Sequence, residues 1–411
     1  MTRTERIYYV VVAAYCLPML IVPAYPLFLM SRGLDVLQMN VVLASYLIGC
    51  FVFEVPTGAF ADLFGRKAAF LASCAVRFCA FTLYAFAGGF GDCLVAELID
   101  ALGKTLASGA LDAWAVDGMR DEGHRGPADR LFSRAQMLMR TVMVVSGVAG
   151  GYIAQRSFRV AWLAAGSGFV IAGGIAFFAM KERGSLLHAR RERSAMMSMR
   201  DAVVGVRDAF MTVRREPVLR LLCVLTAALA FPLMPLGMFW QPRLQELSGE
   251  GPWLMGWVSA LWNIGIVLGG ALLPRLQLRL RRDQILLGVC LWSSCSFAIM
   301  TTATSLVAAL AGVVLTYFSF AFTDPVLQAW MNDEVSSERR ATLLSMRAMS
   351  YTCGGSIGLL VVGAIAKASS RGAAMLGASV FFWLAAPGFV WLGRIARGRS
   401  QSLPVTQGTN V

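Results

Sequence analysis

Long apolar runs alternate with short polar segments along nearly the whole chain, and this pattern sets the predicted architecture. A helix needs about 20 apolar residues to cross the hydrocarbon core of a bilayer. Twelve runs of about that length cover residues 7–30, 39–61, 68–89, 92–115, 135–155, 158–180, 217–240, 254–273, 284–304, 306–330, 342–366 and 372–394. Transmembrane strands would instead alternate over segments of about 10 residues. The pattern therefore predicts twelve membrane-spanning helices.

Composition and charge agree with an all-α integral membrane protein. The 411 residues are 57% hydrophobic and 15% charged, whereas soluble domains carry about 25% charged residues. With the amino terminus placed in the cytoplasm, 28 of the 37 Lys and Arg residues fall on cytoplasmic segments. This bias follows the positive-inside rule and predicts cytoplasmic termini in the plasma (inner) membrane. Arg outnumbers Lys 33 to 4, which favours a GC-rich bacterial host.

Several classes of function are disfavoured by the sequence. The net charge of +13 fits basic loops that face anionic membrane lipid, so nucleic acid is not expected as a partner. The nine cysteines form no CxxC pair, and the two histidines lie in predicted loops, so no metal site is expected. No GxxxxGK[ST] phosphate loop occurs, and no cofactor is predicted. Without a nucleophile–base pair, the chain is not expected to be an enzyme.

One wide basic interruption divides the chain into two sets of six spans. The predicted units are an amino-terminal six-helix bundle (1–180), a basic cytoplasmic linker (181–216), a carboxy-terminal six-helix bundle (217–395) and a cytoplasmic tail (396–411). Apolar residues within 202–213 fall on one helical face, which is typical of a helix lying on the inner membrane surface. A partly disordered linker is the alternative.

The two halves repeat each other in sequence. Residues 110–117 read ALDAWAVD and residues 326–333 read VLQAWMND, with four identities at an offset of 216. Gly58 and Gly270 are 212 residues apart, and so are Gly151 and Gly363. The consistent order predicts two pseudo-symmetric bundles. Such internal repeats are typical of secondary transporters, whose halves rock about a site near the membrane midplane.

The loop between the second and third spans carries the most specific motif. It reads GAFADLFGRK, with Gly58, Asp62, Gly65, Arg66 and Lys67 at its defining positions. This loop resembles the signature loop of the major facilitator superfamily, and the span count, the central linker and the half repeat extend the resemblance over the whole chain. FEVPTG upstream and SGALDAWAVD downstream resemble the drug-exporter-like, proton-coupled subgroup.

The resemblance implies a conformational gate on the cytoplasmic side. Asp62 would face the amino-terminal end of span eleven, where a helix dipole is positive. Arg66 resembles the family arginine that pairs with an acid at the end of span four, here Asp117. These contacts would hold the halves together on the inside and break when the inside opens. The alternative is that Arg66 and Lys67 only enforce topology.

Charged residues inside the spans are candidates for proton coupling, because burying an ionisable group in a bilayer costs about 2.5–3.5 kcal/mol on insertion scales. Glu97, Asp100 and Lys104 share one face of span four, and Arg77 lies in span three. Arg77 and Asp100 both lie near mid-membrane, so they are expected to pair. In one interpretation Glu97 or Asp100 carries the proton and exchanges cationic partners. In the other, Asp100–Lys104 and Glu97–Arg77 are permanent ion pairs.

The substrate cavity is outlined from the family, in which spans one, four, seven and ten line it. The candidate residues on these spans are Tyr25, Phe231, Trp240, Gln241, Phe322 and Asp324. An aromatic cavity with acids suits an amphipathic ligand, with cationic molecules among the candidates. Lipid-facing or packing roles are the alternative for each aromatic residue.

The function predicted on these grounds is secondary active transport. The expected protein is a monomer that exports a small amphipathic molecule, a drug or a metabolite, by alternating access driven by protons. A proton-coupled importer of a small metabolite and a non-transporting membrane receptor are the alternatives.

Overall fold

The computed structural model describes residues 1–402 except 125, 127, 182–209, 212 and 334–339. The first half of the described chain contains α1 (Arg3–Cys16), a 3₁₀ segment (Leu17–Ala24), α2 (Tyr25–Ser31), α3 (Val36–Phe64), α4 (Arg66–Phe86), α5 (Phe90–Ala107), α6 (Ala110–Asp121), α7 (Asp129–Arg156) and α8 (Phe158–Ala179). The second half contains α9 (Pro217–Ser248), α10 (Pro252–Gln277), α11 (Arg282–Thr302), α12 (Leu306–Asp333), α13 (Arg340–Ala368) and α14 (Arg371–Ser402).

The predicted all-helical membrane architecture is confirmed. Eleven helical spans within the described residues are long and apolar enough to cross a membrane, and the first of them runs continuously through α1, the 3₁₀ segment and α2. The remaining predicted span is the fourth one in the chain, and it corresponds to α5. This helix has 18 residues but carries Asp92, Glu97, Asp100 and Lys104. These four charges keep α5 below the hydropathy of the other spans. The surface helix predicted in the linker lies outside the described residues.

Local sequence signals fix where the helices begin and turn. Thr2 and Glu5 form a capping box at the start of α1, and Asp35 and Gln38 form another at the start of α3. Each box satisfies backbone N–H groups that have no partner within the helix. Gly65 alone separates α3 from α4 and has φ +96°, a conformation that only glycine adopts without strain. Gly65 therefore provides the tight turn between the two helices.

The two halves meet along two pairs of helices, α7 with α10 and α3 with α13. Glycines permit the close approach. A Cβ atom on Gly151 of α7 would lie 2.7 Å from the carbonyl oxygen of Pro252, and one on Gly363 of α13 would lie 3.0 Å from the side-chain nitrogen of Asn40. Gly151 and Gly363 thus occupy equivalent positions at the two interfaces, as the sequence repeat predicts.

The hydrogen-bonded pairs between the halves are unevenly distributed along the membrane normal. Described residues of opposite halves form three hydrogen-bonded pairs: Asp35–Lys367, Tyr152–Trp257 and Arg140–Asn263. The first two lie at the ends of helices on the side that we call the closed face. The Arg140–Asn263 pair lies about 24 Å from the closed-face end of α7, given a rise of 1.5 Å per residue.

The opposite side, which we call the open face, holds the turn at Gly65 and the beginning of α1. Gly58 and Gly270 are the equivalent glycines of the two halves there, and a Cβ atom on either would meet no atom within 4 Å. Asp62, on the same helix as Gly58, is exposed. Among the described residues, no hydrogen-bonded pair joins the halves at this face, which is the arrangement expected of one end state of an alternating-access cycle.

Candidate functional site

A buried ion pair occupies the middle of the first half. The Arg77 guanidinium donates to both carboxylate oxygens of Asp100, over 2.7 Å and 3.1 Å, and a third hydrogen bond of 3.1 Å joins it to the Tyr15 hydroxyl. Its plane also lies 4.4 Å from the ring centroid of Phe169. A bidentate pair with added donors is the geometry that compensates the desolvation of two buried charges.

A glycine creates the space for this pair. A Cβ atom on Gly103 of α5 would collide with the side chain of Arg77, and the Gly103 carbonyl accepts a hydrogen bond of 2.6 Å from Ser73 of α4. α4 and α5 therefore approach closely at the level where Arg77 crosses between them. The expected Arg77–Asp100 pair is present.

Glu97 lies in a separate polar pocket nearer the closed face. The Tyr25 hydroxyl donates to its carboxylate over 3.0 Å, and the Tyr84 hydroxyl donates to the same oxygen. Trp162 stacks on Tyr84 with ring centroids 4.2 Å apart, and Glu97 is only 7% exposed. Glu97 is thus a buried carboxylate whose direct partners are neutral phenols.

Lys104 stands apart from both acids. Its side chain is exposed, while Asp100 pairs with Arg77 and Glu97 with the two tyrosines. The alternative of permanent Asp100–Lys104 and Glu97–Arg77 pairs is therefore wrong. The i, i+3 and i+4 spacing places the three residues on one side of α5, but α4 supplies Arg77 to Asp100 and Tyr84 to Glu97.

The first span is discontinuous beside this site. The 3₁₀ segment Leu17–Ala24 separates α1 from α2 and contains Pro18 and Pro23. Proline interrupts an α-helix because it removes a backbone donor and clashes with the preceding turn. A Cβ atom on Gly150 of α7 would collide with the carbonyl of Leu20. Tyr25 begins α2, so the residue that binds Glu97 directly follows the break. Short 3₁₀ stretches inside longer helices often mark hinges.

The predicted gate residues are present on the open face, but their contacts differ from the expectation. Arg66 pairs with Asp117, as predicted, yet α4 and α6 both belong to the first half. The pair therefore does not bridge the halves, and it is intact in a structure that is open on this face. Lys67 donates to the carbonyls of Phe177 and Met180, over 2.7 Å each, and so holds the end of α8 within the same half.

Asp62 is the gate residue that faces outward. Its side chain is exposed, and no hydrogen bond joins it to another described side chain. The side chains at the beginning of α13, toward which the resemblance directs Asp62, lie outside the described residues. Its role as a gate stays a prediction.

Most of the predicted cavity residues are enclosed in this conformation. Phe231 stacks on Phe381 of α14 at a centroid distance of 3.8 Å, and Trp240 is fully buried. Gln241 is 2% exposed, and Phe322 packs against Phe318 in an apolar pocket between α10, α11 and α12. We therefore correct the expectation that Phe231, Trp240 and Phe322 line an open cavity, since each packs against its own half.

Two cavity predictions have a different outcome. Tyr25 is half-buried and faces Glu97 inside the first half. Asp324 remains accessible, with 72% of its side chain exposed, and accepts a hydrogen bond of 2.8 Å from Arg347. Gln241 Oε1 has no hydrogen-bond partner among the described residues, although the residue is buried.

Two contacts at this site were missed by sequence reasoning. Arg347 lies within a membrane span and pairs with Asp324, a partner that the sequence did not indicate. The bridge between Asp35 and Lys367 joins the beginning of α3 to the end of α13 over 2.8 Å. These residues are 332 positions apart, and the repeat relates span two to span eight and span five to span eleven, so the sequence did not indicate this contact.

The family is decided by comparison over nearly the whole chain. The Major Facilitator Superfamily model matches residues 7–286 and 244–410. The chain belongs to the major facilitator superfamily. Members are multi-pass membrane transporters of small molecules and not enzymes, which agrees with the predicted secondary transport. A curated superfamily relative is "Uncharacterized MFS-type transporter YxaM" of Bacillus subtilis, 22% identical over 362 residues that cover 87% of this chain and 88% of the relative.

Solved superfamily structures share the fold. The nucleoside transporter NupG superposes with a TM-score of 0.76 at 13% identity, covering 96% of this chain and 100% of the other. A bacterial homologue of the human lysosomal transporter Spinster, described as inward-facing and unoccupied, gives 0.73 at 14% identity and covers 95% and 96%. A D-xylose–proton symporter gives 0.65 at 14% identity and covers 94% and 98%. At these identities the likeness establishes the fold alone.

Proposed function

We propose that this protein is a proton-driven exporter of a small amphipathic molecule. The observation that carries the proposal is Glu97, a buried carboxylate bound by two phenols beside a break in the first span. A carboxylate held in the membrane without a cationic partner is costly, so its retention favours a role in proton transfer. The neighbouring Arg77–Asp100 pair is bidentate and also bonded to Tyr15, and in this proposal it positions α4 against α5.

The proton acts through the link between Tyr25 and Glu97. An ionised carboxylate accepts both phenolic hydrogen bonds strongly, and a protonated one accepts them more weakly. Protonation therefore loosens the attachment of α2 to α5. Since the 3₁₀ segment of the same span packs on Gly150 of α7, this change reaches the interface helix that meets the other half.

Alternating access follows from the distribution of interface glycines. Gly151 and Gly363 allow the halves to close on one face. Gly58 and Gly270 lie on the open face, where a Cβ atom on either would meet no atom within 4 Å. They would allow the halves to approach each other when that face closes. We place Asp62 in the gate that forms when this second face closes. We place the open face, with the termini, in the cytoplasm of a bacterial cell, and a monomer suffices because one chain contains both halves.

The direction of export comes from the resemblance of the GAFADLFGRK region to drug-exporter-like members. Import by symport is the second candidate, because one structural neighbour is by name a proton symporter. A receptor without transport activity is the third.

The test uses an efflux-deficient bacterial host loaded with fluorescent dyes and antibiotics, with and without a protonophore. Wild-type protein is compared with Glu97→Gln and Asp62→Asn at matched expression. Glu250→Gln is the control, since it makes the same chemical change on an exposed loop residue. We expect protonophore-sensitive loss of a compound that both test variants abolish and the control retains. Uptake driven by protons would indicate import, and no flux of any compound would favour a receptor.

A further inference from the structure

The charged residues inside the spans are not all balanced. Within the described residues, five intramembrane acids accept hydrogen bonds from side chains of other segments: Glu54 from Ser108, Glu97 from Tyr25 and Tyr84, Asp100 from Arg77, Asp112 from Tyr8, and Asp324 from Arg347. Two cations, Lys104 and Arg140, have no carboxylate partner within hydrogen-bond distance among the same residues. Both belong to the first half and both lie away from the closed face.

Arg140 joins the two halves through a neutral partner. Its Nη1 donates over 3.1 Å to Oδ1 of Asn263 in the other half, and Asn263 in turn donates over 2.8 Å to the carbonyl of Ser259. A guanidinium has five N–H donors, and this neutral amide is the one protein acceptor among the described residues. Asp324 attracts Arg140 through space, but the hydrogen bond of Asp324 is made with Arg347.

Lys104 lies at a similar depth on α5. It is 14 residues from the closed-face start of α5, or about 21 Å, whereas Arg140 is about 24 Å from the closed-face end of α7. The Lys104 ammonium interacts electrostatically with the thiols of Cys16 in α1 and Cys50 in α3. The Lys104 side chain is exposed. It therefore lies apart from the buried Arg77–Asp100 pair, and the charge of Glu54 acts on the same Cys50 thiol, so we do not place Lys104 with Arg140.

An aromatic surface adjoins the acceptor of Arg140. Trp262 precedes Asn263 on α10, and its ring lies 3.7 Å from that of Tyr317 and 5.6 Å from that of Trp240. Trp262 and Tyr317 are both partly exposed. They offer a planar apolar contact beside a polar group, which is the usual composition of a small-molecule site.

We propose that Arg140 binds the anionic group of an organic anion whose planar apolar part packs near Trp262 and Tyr317. An unpaired cation in the membrane is costly, and a carboxylate ligand supplies the missing partner. A guanidinium binds a carboxylate in a bidentate, charge-assisted geometry that a neutral amide oxygen does not match. Bound anion therefore competes with Asn263 for Arg140 and weakens one of the three hydrogen-bonded pairs between the halves.

This inference names the substrate class of the transport proposed above and rests on it only for calling the anion a substrate. The amphipathic ligand expected from the sequence is then acidic and not cationic. Binding is tested without transport, so the two proposals can fail independently.

The experiment measures binding by calorimetry to the purified full chain in lipid nanodiscs near neutral pH. The probes are naphthoate, naphthylmethylammonium and naphthylmethanol, which share one ring system and differ in charge. The variants are Arg140→Gln, Lys104→Gln and the charge-retaining Arg140→Lys. Arg120→Gln is the matched control, because Arg120 is an exposed arginine in α6 near the open face.

We expect naphthoate to bind at least about tenfold more tightly than either other probe, since each charge-assisted hydrogen bond contributes that much or more. Arg140→Gln should weaken naphthoate binding about tenfold, and Arg140→Lys should retain part of the affinity. Lys104→Gln and Arg120→Gln should retain all of it. The proposal is overturned if naphthoate does not saturate, if the cation binds best, or if folded Arg140→Gln binds naphthoate like wild type.

Discussion

The Tyr25 hydroxyl donates a hydrogen bond of 3.0 Å to Glu97 and thereby ties the discontinuous first span to α5. Tyr25 directly follows the 3₁₀ segment, which packs on α7, and α7 packs on α10 of the other half. A single hydrogen bond therefore connects the candidate proton carrier to the interface that opens and closes. Several measurable consequences depend on this connection.

Tyr25→Phe should uncouple transport from the proton gradient while leaving the fold intact. The variant removes one of the two donors to Glu97, a loss of about 1.5–3 kcal/mol for a hydrogen bond to a charged group. We expect proton-driven flux in proteoliposomes to fall about tenfold or more. Tyr9→Phe is the control, because the buried Tyr9 hydroxyl has no hydrogen-bond partner among the described residues. Equal flux in the two variants would show that the Tyr25 bond plays no part in coupling.

Arg77→Gln and Asp100→Asn should each destabilise the protein strongly. The two side chains are 5% and 10% exposed, and removing one partner of a buried pair leaves an uncompensated charge that costs about 3–5 kcal/mol. The double variant should recover much of that loss. Unfolding of the purified variants, followed by tryptophan fluorescence in denaturant, measures the coupling energy. If the double variant loses as much free energy of unfolding as the two single variants together, the two side chains do not interact directly.

Gly151→Ala and Gly58→Ala should have opposite consequences for the conformation observed here. A Cβ atom on Gly151 would lie 2.7 Å from the carbonyl oxygen of Pro252, whereas one on Gly58 would meet nothing within 4 Å. Gly151→Ala should therefore separate the halves at the closed face. Gly58→Ala should leave this conformation unchanged and hinder only the one in which the open face closes.

The measurement is labelling by a membrane-impermeant thiol reagent, applied from either side, at cysteines introduced on α3 and α7. Gly151→Ala should raise closed-face labelling, and Gly58→Ala should raise open-face labelling. If Gly58→Ala labels and transports like wild type, the two faces do not alternate through this glycine.

The Asp35–Lys367 bridge should make the closed face sensitive to acid. The hydrogen bond from Lys367 holds the pKa of Asp35 below its usual range. Because the pKa is lowered in the closed conformation, the bridge stabilises that conformation at neutral pH. Its contribution is lost as the pH falls through the lowered pKa, which lies below the usual value of about 3.9.

Asp35→Asn should reproduce that loss at neutral pH. Both side chains are largely exposed, so the effect is that of a surface pair, up to about 1 kcal/mol. Distances between spin labels on the closed-face loops that follow α2 and α13 measure the population of the separated state. A population that Asp35→Asn leaves unchanged would exclude the bridge as a stabilising contact. Glu246→Gln serves as the control, since it affects an ion pair within the second half.

The pairing of intramembrane charges shows how far sequence reasoning reached. Counting residues from the ends of the predicted spans placed Arg77 and Asp100 at one depth, and the structure joins them. The same reasoning could not supply the partners of Glu97, because Tyr25 and Tyr84 lie on other helices and their rotation about the helix axes is set by packing. The contact between Gly103 and Arg77 determines that rotation for α4 and α5.

The sequence by itself determined the twelve spans, the division into two repeated halves, the tight turn at Gly65 and the residues of the family loop. These features follow from hydrophobic length, local backbone conformation and residue identity, which are properties of short segments. Only the tertiary structure decided that Arg66–Asp117 stays within one half, that Asp35 reaches Lys367, and that Arg140 meets Asn263. The reason is that a lipid-embedded helix can turn any of its faces toward a neighbour, and close glycine packing selects which one.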